Sequence, residues 1–414
     1  MDDILSCCCG LDVHKESIVA CLLQESLDEE LKPASEIREF NTHLADLVAL
    51  RSWLEQHDCQ YVAMESTGIY WQPIYRVLEE SLADEMHLLV VNARHMRNVP
   101  GRKTDMRDAE WIATLLRAGL LKGSFVPERN IRDLRQFTRY RKAVVRDITS
   151  QKNRIEKLLQ RNGFRLSSFL TDIFGVSGMA IMEQLVEVGR ITPLTLDKCL
   201  KRQARAKAGD ILTNMNGTLS VSQRRLLSMQ LAHLGDLQDN LQEVEQDICM
   251  GFTQFEESLD LLKTIPGISE TASYAILAEI GADMGAFPTA QHLCSWAGLA
   301  PGNHESAGKK KRQHINQGNP YLKTILCEAA WTIARQKKLY LSDWYWRLKQ
   351  RTDSKRAIIA LARKLLVIIY AMLRSGQPFD EQRFQERKAA SEQRRVRHMV
   401  HELTKLGCVV SMPA

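Results

Sequence analysis

The period of the hydrophobic positions divides this 414-residue chain into regions of different character. Ser6–Val13 and Ser17–Leu23 are short β-prone runs. The polar stretch His14-Lys15-Glu16 separates them, so together they predict a hairpin. Ile37–Phe40 predicts a third strand, Tyr61–Met64 a fourth and His87–Val91 a fifth. Between them Leu44, Leu47, Val48, Leu50 and Leu54 recur at helical spacing, and Tyr70–Leu82 predicts a second helix. Asp105–Ala118 is strongly amphipathic, with Gly119 placed to end it.

From Asn130 onward the pattern is helical throughout. Val144, Ile148, Ile155, Leu158 and Leu159 form one long stripe, and Leu234, Leu237, Leu241, Val244 and Ile248 form a matching one. Both approximate heptads, which suits either an antiparallel hairpin or a dimeric coiled coil. The stretch from 164 to 220 is irregular, and its pattern assigns it no role. The expected class is α/β plus all-α. Four regions follow: residues 1–125, α/β; 126–254, a helical or coiled-coil segment; 255–376, a compact helical domain; and 377–414, a basic tail. The order β-β-β-α-β-α-β-α in the first region is that of the ribonuclease H-like fold.

Charge sharpens the division. Residues 1–93 hold 5 Lys/Arg against 18 Asp/Glu, a net −13, so the rest of a chain whose total is +6 carries +19. An acidic head on a basic body suggests metal binding in one and polyanion contact in the other. The tail, with Arg383, Arg387, Lys388, Arg394, Arg395 and Arg397, reads as a solvated helix or a disordered arm. Ten cysteines include no C-x-x-C pair, and the consecutive Cys7, Cys8 and Cys9 alternate faces of a strand. They are expected to be small buried hydrophobes in a reducing compartment. Ala357–Leu373, the longest apolar run, is broken by Arg363-Lys364 and reads as a buried helix. With an acidic start in place of a secretory signal, the expectation is a cytoplasmic protein without a membrane span.

Four carboxylates fall where the predicted fold would gather them. Asp12 follows an apolar strand, Glu65 ends another, and Asp105 and Asp108 share a face at the start of one helix. Such a set can cage one or two Mg²⁺ ions for phosphoryl displacement. Each also has a plainer reading, as helix cap, dipole partner or turn residue. Taken jointly, Gly10-Leu11-Asp12-Val13-His14-Lys15, Glu65-Ser66-Thr67-Gly68-Ile69-Tyr70 and Lys103-Thr104-Asp105-Met106-Arg107-Asp108-Ala109 resemble the three signatures of the DEDD insertion-sequence transposases. That resemblance implies a RuvC-like domain of ribonuclease H-like fold with Asp12, Glu65, Asp105 and Asp108 as metal ligands. Arg102, Lys103 and Arg107 lie in a basic stretch suited to a DNA-facing loop.

In the second half, Thr264-Ile265-Pro266-Gly267-Ile268-Ser269 resembles a helix-hairpin-helix turn, in which Gly267 would approach a phosphate. A tight turn capped by Ser269 is the alternative. Downstream, Leu293-Cys294-Ser295-Trp296-Ala297-Gly298-Leu299-Ala300-Pro301 leads into a polar loop containing Glu305-Ser306-Ala307-Gly308 and the cations Lys309, Lys310, Lys311 and Arg312. This progression resembles the C-terminal transposase domain of the same family, whose nucleophile is a serine in a Glu-Ser-Gly-like loop. The match falls on Ser306, with Ala307 inserted as a departure. The cations could hold the phosphate. The resemblance further implies donor and target DNA, a structured bridge RNA that pairs with both, and a dimer or tetramer in which a RuvC-like domain meets the serine domain of another subunit.

The nearest rival is a junction-resolving, metal-dependent nuclease with water in place of Ser306. Gly10-Leu11-Asp12 with Lys15 also resembles the first phosphate loop of an actin-like or sugar-kinase ATPase, but no later glycine-rich phosphate motif follows. A DNA- or RNA-binding protein without catalysis is the third reading.

Overall fold

In the computed structural model the chain divides into two units, Met1–Val126 and Pro127–Ala414. Residues 5–24, 33–66, 68–80, 86–92, 108–215, 217–301, 305–306, 309–310, 318–336 and 339–406 are described. The first unit is a mixed α/β sheet with helices, and the second is mostly helical.

Strand β1 (Cys7–Val13) is the centre of the first unit. It pairs antiparallel with β2 (Ser17–Gln24), which pairs antiparallel with β3 (Ala34–Asn41). On its other side it runs parallel to β4 (Tyr61–Glu65), which is parallel to β5 (His87–Val91). The order is therefore β3-β2-β1-β4-β5. A strand covered on both faces needs apolar residues at nearly every position, which is why β1 opens with three cysteines and not with an alternating pattern.

Helices α1 (Leu44–Gln56) and α2 (Trp71–Glu79) cover one face, packing Leu50, Trp53, Ile74 and Leu78 against Leu11, Ile18 and Leu22. Helix α3 (Asp108–Arg117) covers the other, where Ile112 and Leu116 meet Cys8, Cys21, Ala63 and Val91. Its approach to β1 is very close. A Cβ added at Gly10 would lie 2.3 Å from the Ala109 carbonyl oxygen and 2.4 Å from the Ala113 amide nitrogen. Gly119 ends this helix with φ +65°, donating to Leu116 while Leu120 donates to Leu115.

Two expected elements differ in extent, and a third is described only in part. β3 is twice as long as Ile37–Phe40, because it is a largely exposed edge strand whose polar residues mask the pattern. α2 is shorter than Tyr70–Leu82. The helix expected from Asp105 is described from Asp108, since Asp105 to Arg107 lie outside the described residues.

In the second unit α4 (Arg129–Arg161) and α9 (Val221–Gly251) carry the two hydrophobic stripes. Arg141 pairs with Glu245, Gln151 donates to the Gln230 carbonyl, and Gln223 donates to Asn162. Partner numbers fall as α4 numbers rise, so the stripes close on each other as an antiparallel hairpin within the chain. The irregular stretch supplies its cap. Helices α5 (Val176–Val188), α6 (Pro193–Cys199), α7 (Arg202–Arg205) and α8 (Ala208–Asn214) bring Ile181, Met182, Leu185 and Ile211 onto Ile155, Leu159 and Leu227.

The remaining elements are α10 (Glu256–Lys263), α11 (Glu270–Ile280), α12 (Ala290–Trp296), the two-residue strands β6 (Glu305–Ser306) and β7 (Lys309–Lys310), and α13 (Pro320–Arg335). They are followed by α14 (Tyr340–Lys349), α15 (Ser354–Ser375) and α16 (Glu381–Lys405). α15 buries Leu361, Leu365, Leu366 and Ile369, as its apolar run predicts, and no described helix is long and apolar enough to cross a membrane. The tail forms the solvated helix α16, with its described Arg side chains exposed or half-exposed. Among the described cysteines Cys249 is exposed, Cys7 and Cys327 are half-buried and the others are buried.

Candidate active site

Two predicted carboxylates meet through strand register. Cys9, Gly10 and Leu11 of β1 stand opposite Val62, Ala63 and Met64 of β4. One further step along these parallel strands brings Asp12 level with Glu65. By alternation both share the sheet face of Gly10 and Ala63, the face that α3 covers. Asp108 is the first residue of α3 and immediately precedes Ala109, whose carbonyl lies over Gly10. Three of the four carboxylates therefore lie toward the same end of the sheet. The fourth, Asp105, lies outside the described residues, as do Arg102, Lys103 and Arg107.

The Asp12 side chain is 16% exposed, and His14 Nε2, on an exposed ring, sits 3.2 Å from its Oδ2. Among the described residues no three His, Cys, Asp or Glu side chains stand close enough together to hold a metal ion. What Asp12, Glu65 and Asp108 supply is an all-oxygen anionic donor set, which fits Mg²⁺ or a similar hard ion better than a soft one. The His14 neighbour is one that spacing did not point out.

The Ser306 segment is a ribbon at its centre, in place of the expected loop. Ser306 pairs with Lys309 and Glu305 with Lys310, antiparallel, so two of the four predicted cations lie on the strand facing the serine. Lys311 and Arg312 fall outside the described residues. The segment leaves and re-enters the helical unit at one stem. The Asn319 amide donates to the Trp296 carbonyl at 3.3 Å, and a Cβ on Gly318 would come within 2.2 Å of the Gly298 amide nitrogen.

Gly267 has a packing reason to be glycine. Its φ is +87°, and an added Cβ would lie 2.9 Å from Ile333 Cγ1 and 3.3 Å from the Ala329 carbonyl oxygen of α13. Ser269 caps α11, its hydroxyl accepting from the Ala272 amide at 3.2 Å.

Sequence reasoning missed a buried cluster beside the stem. Glu279 is 1% exposed and receives both arms of Arg139, at 2.8 and 2.9 Å. Arg135 lies 3.3 Å from the same carboxylate and donates to the carbonyls of Ala278 and Glu279. Burial pulls the Arg135 guanidinium down to about 10, against the opposing pull of Glu279. The only trace of this cluster in the sequence is an acidic residue inside an apolar helical pattern. A cavity of about 740 Å³ opens next to it, between α4, α9, α11 and α13. Its cations Arg139, Arg141, Lys142 and Arg146 are balanced by Glu245, Glu270, Glu279 and Glu328, so it is not a cationic groove.

Comparison with known proteins finds relatives for both halves of the chain. Residues 9–163 match the IS110-type DEDD transposase profile, and residues 259–346 match that of the transposase IS116/IS110/IS902 family. The chain belongs to the IS110-type DEDD transposases. Relatives include the pilin gene-inverting protein of Moraxella bovis, 37% identical over 29% of this chain and 38% of that protein. The transposase for IS1111A of Coxiella burnetii is 25% identical over 69% of this chain and 70% of its own. That for IS1533 of Leptospira borgpetersenii is 23% identical over 89% and 96%. The chain thus spans under two-fifths of the length of the pilin gene-inverting relatives but most of the length of the insertion-sequence transposases. The family is one of enzymes acting on DNA and generally using a divalent metal.

Proposed function

We propose that this transposase cuts and rejoins DNA at specific sites, using Asp12, Glu65, Asp105 and Asp108 as a metal-holding set and Ser306 as nucleophile. The reading is carried chiefly by one observation: Asp12 and Glu65 stand level on adjacent parallel strands, on the face closed by the helix that begins at Asp108. The order β3-β2-β1-β4-β5, antiparallel on one side of β1 and parallel on the other, supports a ribonuclease H-like, RuvC-like first domain.

One or two Mg²⁺ ions held there would supply charge stabilisation to the attacking and leaving oxygens of a phosphodiester. The carboxylates' own task is to orient that centre, each from a rigid element. Ser306 Oγ forms a bond to phosphorus, its proton passing to a base, while a phosphorus–oxygen bond of the DNA breaks and the departing sugar oxygen takes a proton. The reverse reaction with a new sugar hydroxyl restores the serine and joins the strands, so no nucleotide cofactor is consumed. Lys309, Lys310, Lys311 and Arg312 neutralise the phosphate, and Arg102, Lys103, Arg107 and the Gly267 turn hold the DNA backbone.

The partners we assign are donor and target DNA, a structured bridge RNA that pairs with both, and further copies of the chain, because exchange between duplexes needs more than one active site. Cytoplasmic action on the cell's own DNA fits these partners. Supporting the site-specific reading is the kinship with a pilin gene-inverting protein.

The test is a covalent trap. The chain, co-expressed with its flanking noncoding RNA, is incubated with labelled donor and target DNA and Mg²⁺, then denatured and resolved on a gel. A protein–DNA adduct lost in both Ser306→Ala and Asp12→Ala is the expected result. Cut ends without an adduct, unchanged in Ser306→Ala, would sink the serine assignment and leave a water-using nuclease.

A further inference from the structure

The segment carrying Ser306 lies between α12 and α13 in the chain, and the described residues on either side of it meet at one stem. Glu279 sits at this point. Its Oε2 accepts from the Asn319 side-chain amide at 2.5 Å, while Arg139 and Arg135 satisfy the rest of the carboxylate. Asn319 has a second task. Its Oδ1 accepts from the amides of Tyr321 and Leu322, capping α13, and its own amide donates to Trp296. Arg139 also lies over the Tyr321 ring, 4.2 Å from the centroid. The Asn319 side chain thereby joins the first turn of α13 to a buried ion cluster rooted in the long helix α4, while its backbone amide ties the same point to the end of α12.

A cap alone does not require this. Asn, Asp, Ser and Thr all cap helices, and an exposed cap is satisfied by the helix and water. Burying a carboxylate is costly unless it is fully paired; here Arg139 and Arg135 pair the charge, and a further acceptor position is taken by a residue at the stem of the Ser306 segment. Two arginines of α4 fix the Glu279 carboxylate, and the carboxylate fixes which way the Asn319 amide turns. Gly298 and Gly318, whose backbones touch, let the two sides of the stem close without a side chain between them.

We infer that Glu279, with Arg135 and Arg139 behind it, is a positioning residue that acts through Asn319 to hold the stem of the Ser306 segment in a fixed register. This rests on Ser306 being the nucleophile. Asn319 is the handle for a test, because its two tasks can be separated.

Asn319→Ser keeps a cap acceptor but is too short to reach Glu279. Asn319→Asp keeps the cap and replaces the donor to Glu279 with a like charge. In the full chain with its RNA, both variants are expected to exchange amide hydrogens at residues 296–301 and 318–322 about tenfold faster, with the α4–α9 hairpin unchanged. Adduct formation at saturating DNA is expected to slow by about 10–100-fold, with DNA affinity unchanged. A cap-only role predicts wild-type behaviour in both variants, and that result overturns the inference. Faster exchange with a wild-type adduct rate also overturns it, since the stem is then held but positions nothing that matters. A wild-type chain that forms no adduct sinks the serine reading itself and the positioning role with it. The exchange data then still report whether Glu279 anchors the stem.

Discussion

Gly10→Ala is the most informative single change in the first unit, because it moves one helix against the strand that carries Asp12. The added methyl would sit 2.3 Å from the Ala109 carbonyl oxygen and 2.4 Å from the Ala113 amide nitrogen. Ordinary contact begins near 3.4 Å, so α3 must retreat by about 1 Å or the sheet must bend. Neither obstacle is a flexible side chain; both are helix backbone. Overpacking of this kind costs roughly 1–3 kcal/mol. For a unit of this size that is a fall in midpoint of roughly 4–12 °C. The same displacement carries Asp108 away from Asp12 and Glu65, and about 1 Å of misplacement can cost on the order of 10²-fold in rate. Differential scanning calorimetry reads the first effect. Metal-dependent adduct formation, measured well below the variant's midpoint, reads the second. A midpoint unchanged within a degree refutes the close approach of α3 to β1. A lowered midpoint with a wild-type rate refutes the placement of Asp108 in the catalytic set.

Three other outcomes are expected. Asp12→Asn retains the neighbouring shape but removes an anionic ligand; it should lower Mg²⁺-dependent adduct formation by about 10³-fold or more while DNA binding by gel shift survives. Gly267→Ala forces a Cβ onto φ +87° and against Ile333, so the second unit should lose at least about 1 kcal/mol in urea titration; if DNA affinity also falls while the fold is intact, the turn contacts phosphate. The Cys7 thiol is brought down to about 7, first by the side-chain hydrogen bond with Cys59, against the pull of burial. Because this lowered value makes the folded state hold the thiolate, its contribution to stability is present above the ordinary value of 9 and fades as pH falls through 7. Iodoacetamide labelling of the native chain followed by peptide mass mapping should show Cys7 reacting with a midpoint near pH 7. A midpoint near 9 would refute that environment.

Much of the architecture was legible in the chain. Short β-prone runs marked the strands, and a period of 3.6 marked the two long hydrophobic stripes and the buried helix that contains Arg363-Lys364, because each is a local pattern of what must face a core. Asp12 and Glu65 stood out for the same reason: each is a charged residue at or next to the end of a buried apolar strand. The edge strand β3 was only partly visible, since exposed polar residues leave no period to read.

What required the tertiary structure were relations between distant positions. That Asp12 is level with Glu65 depends on the parallel register of β1 and β4, which no local spacing encodes. The two heptad-like stripes fit an intrachain hairpin or a dimer equally well until Arg141–Glu245 and Gln151–Gln230 fixed their direction. The stretch from 164 to 220 looked patternless because short helices capping another element need only scattered apolar contacts. Glu279 was hidden most completely. A carboxylate in an apolar helix reads as a misplaced surface residue until Arg135 and Arg139, some 140 positions earlier, and Asn319, 40 positions later, come to surround it. Sequence sets which surfaces must be buried and which groups can do chemistry; register, chain direction and the pairing of buried charge are fixed only when remote segments meet.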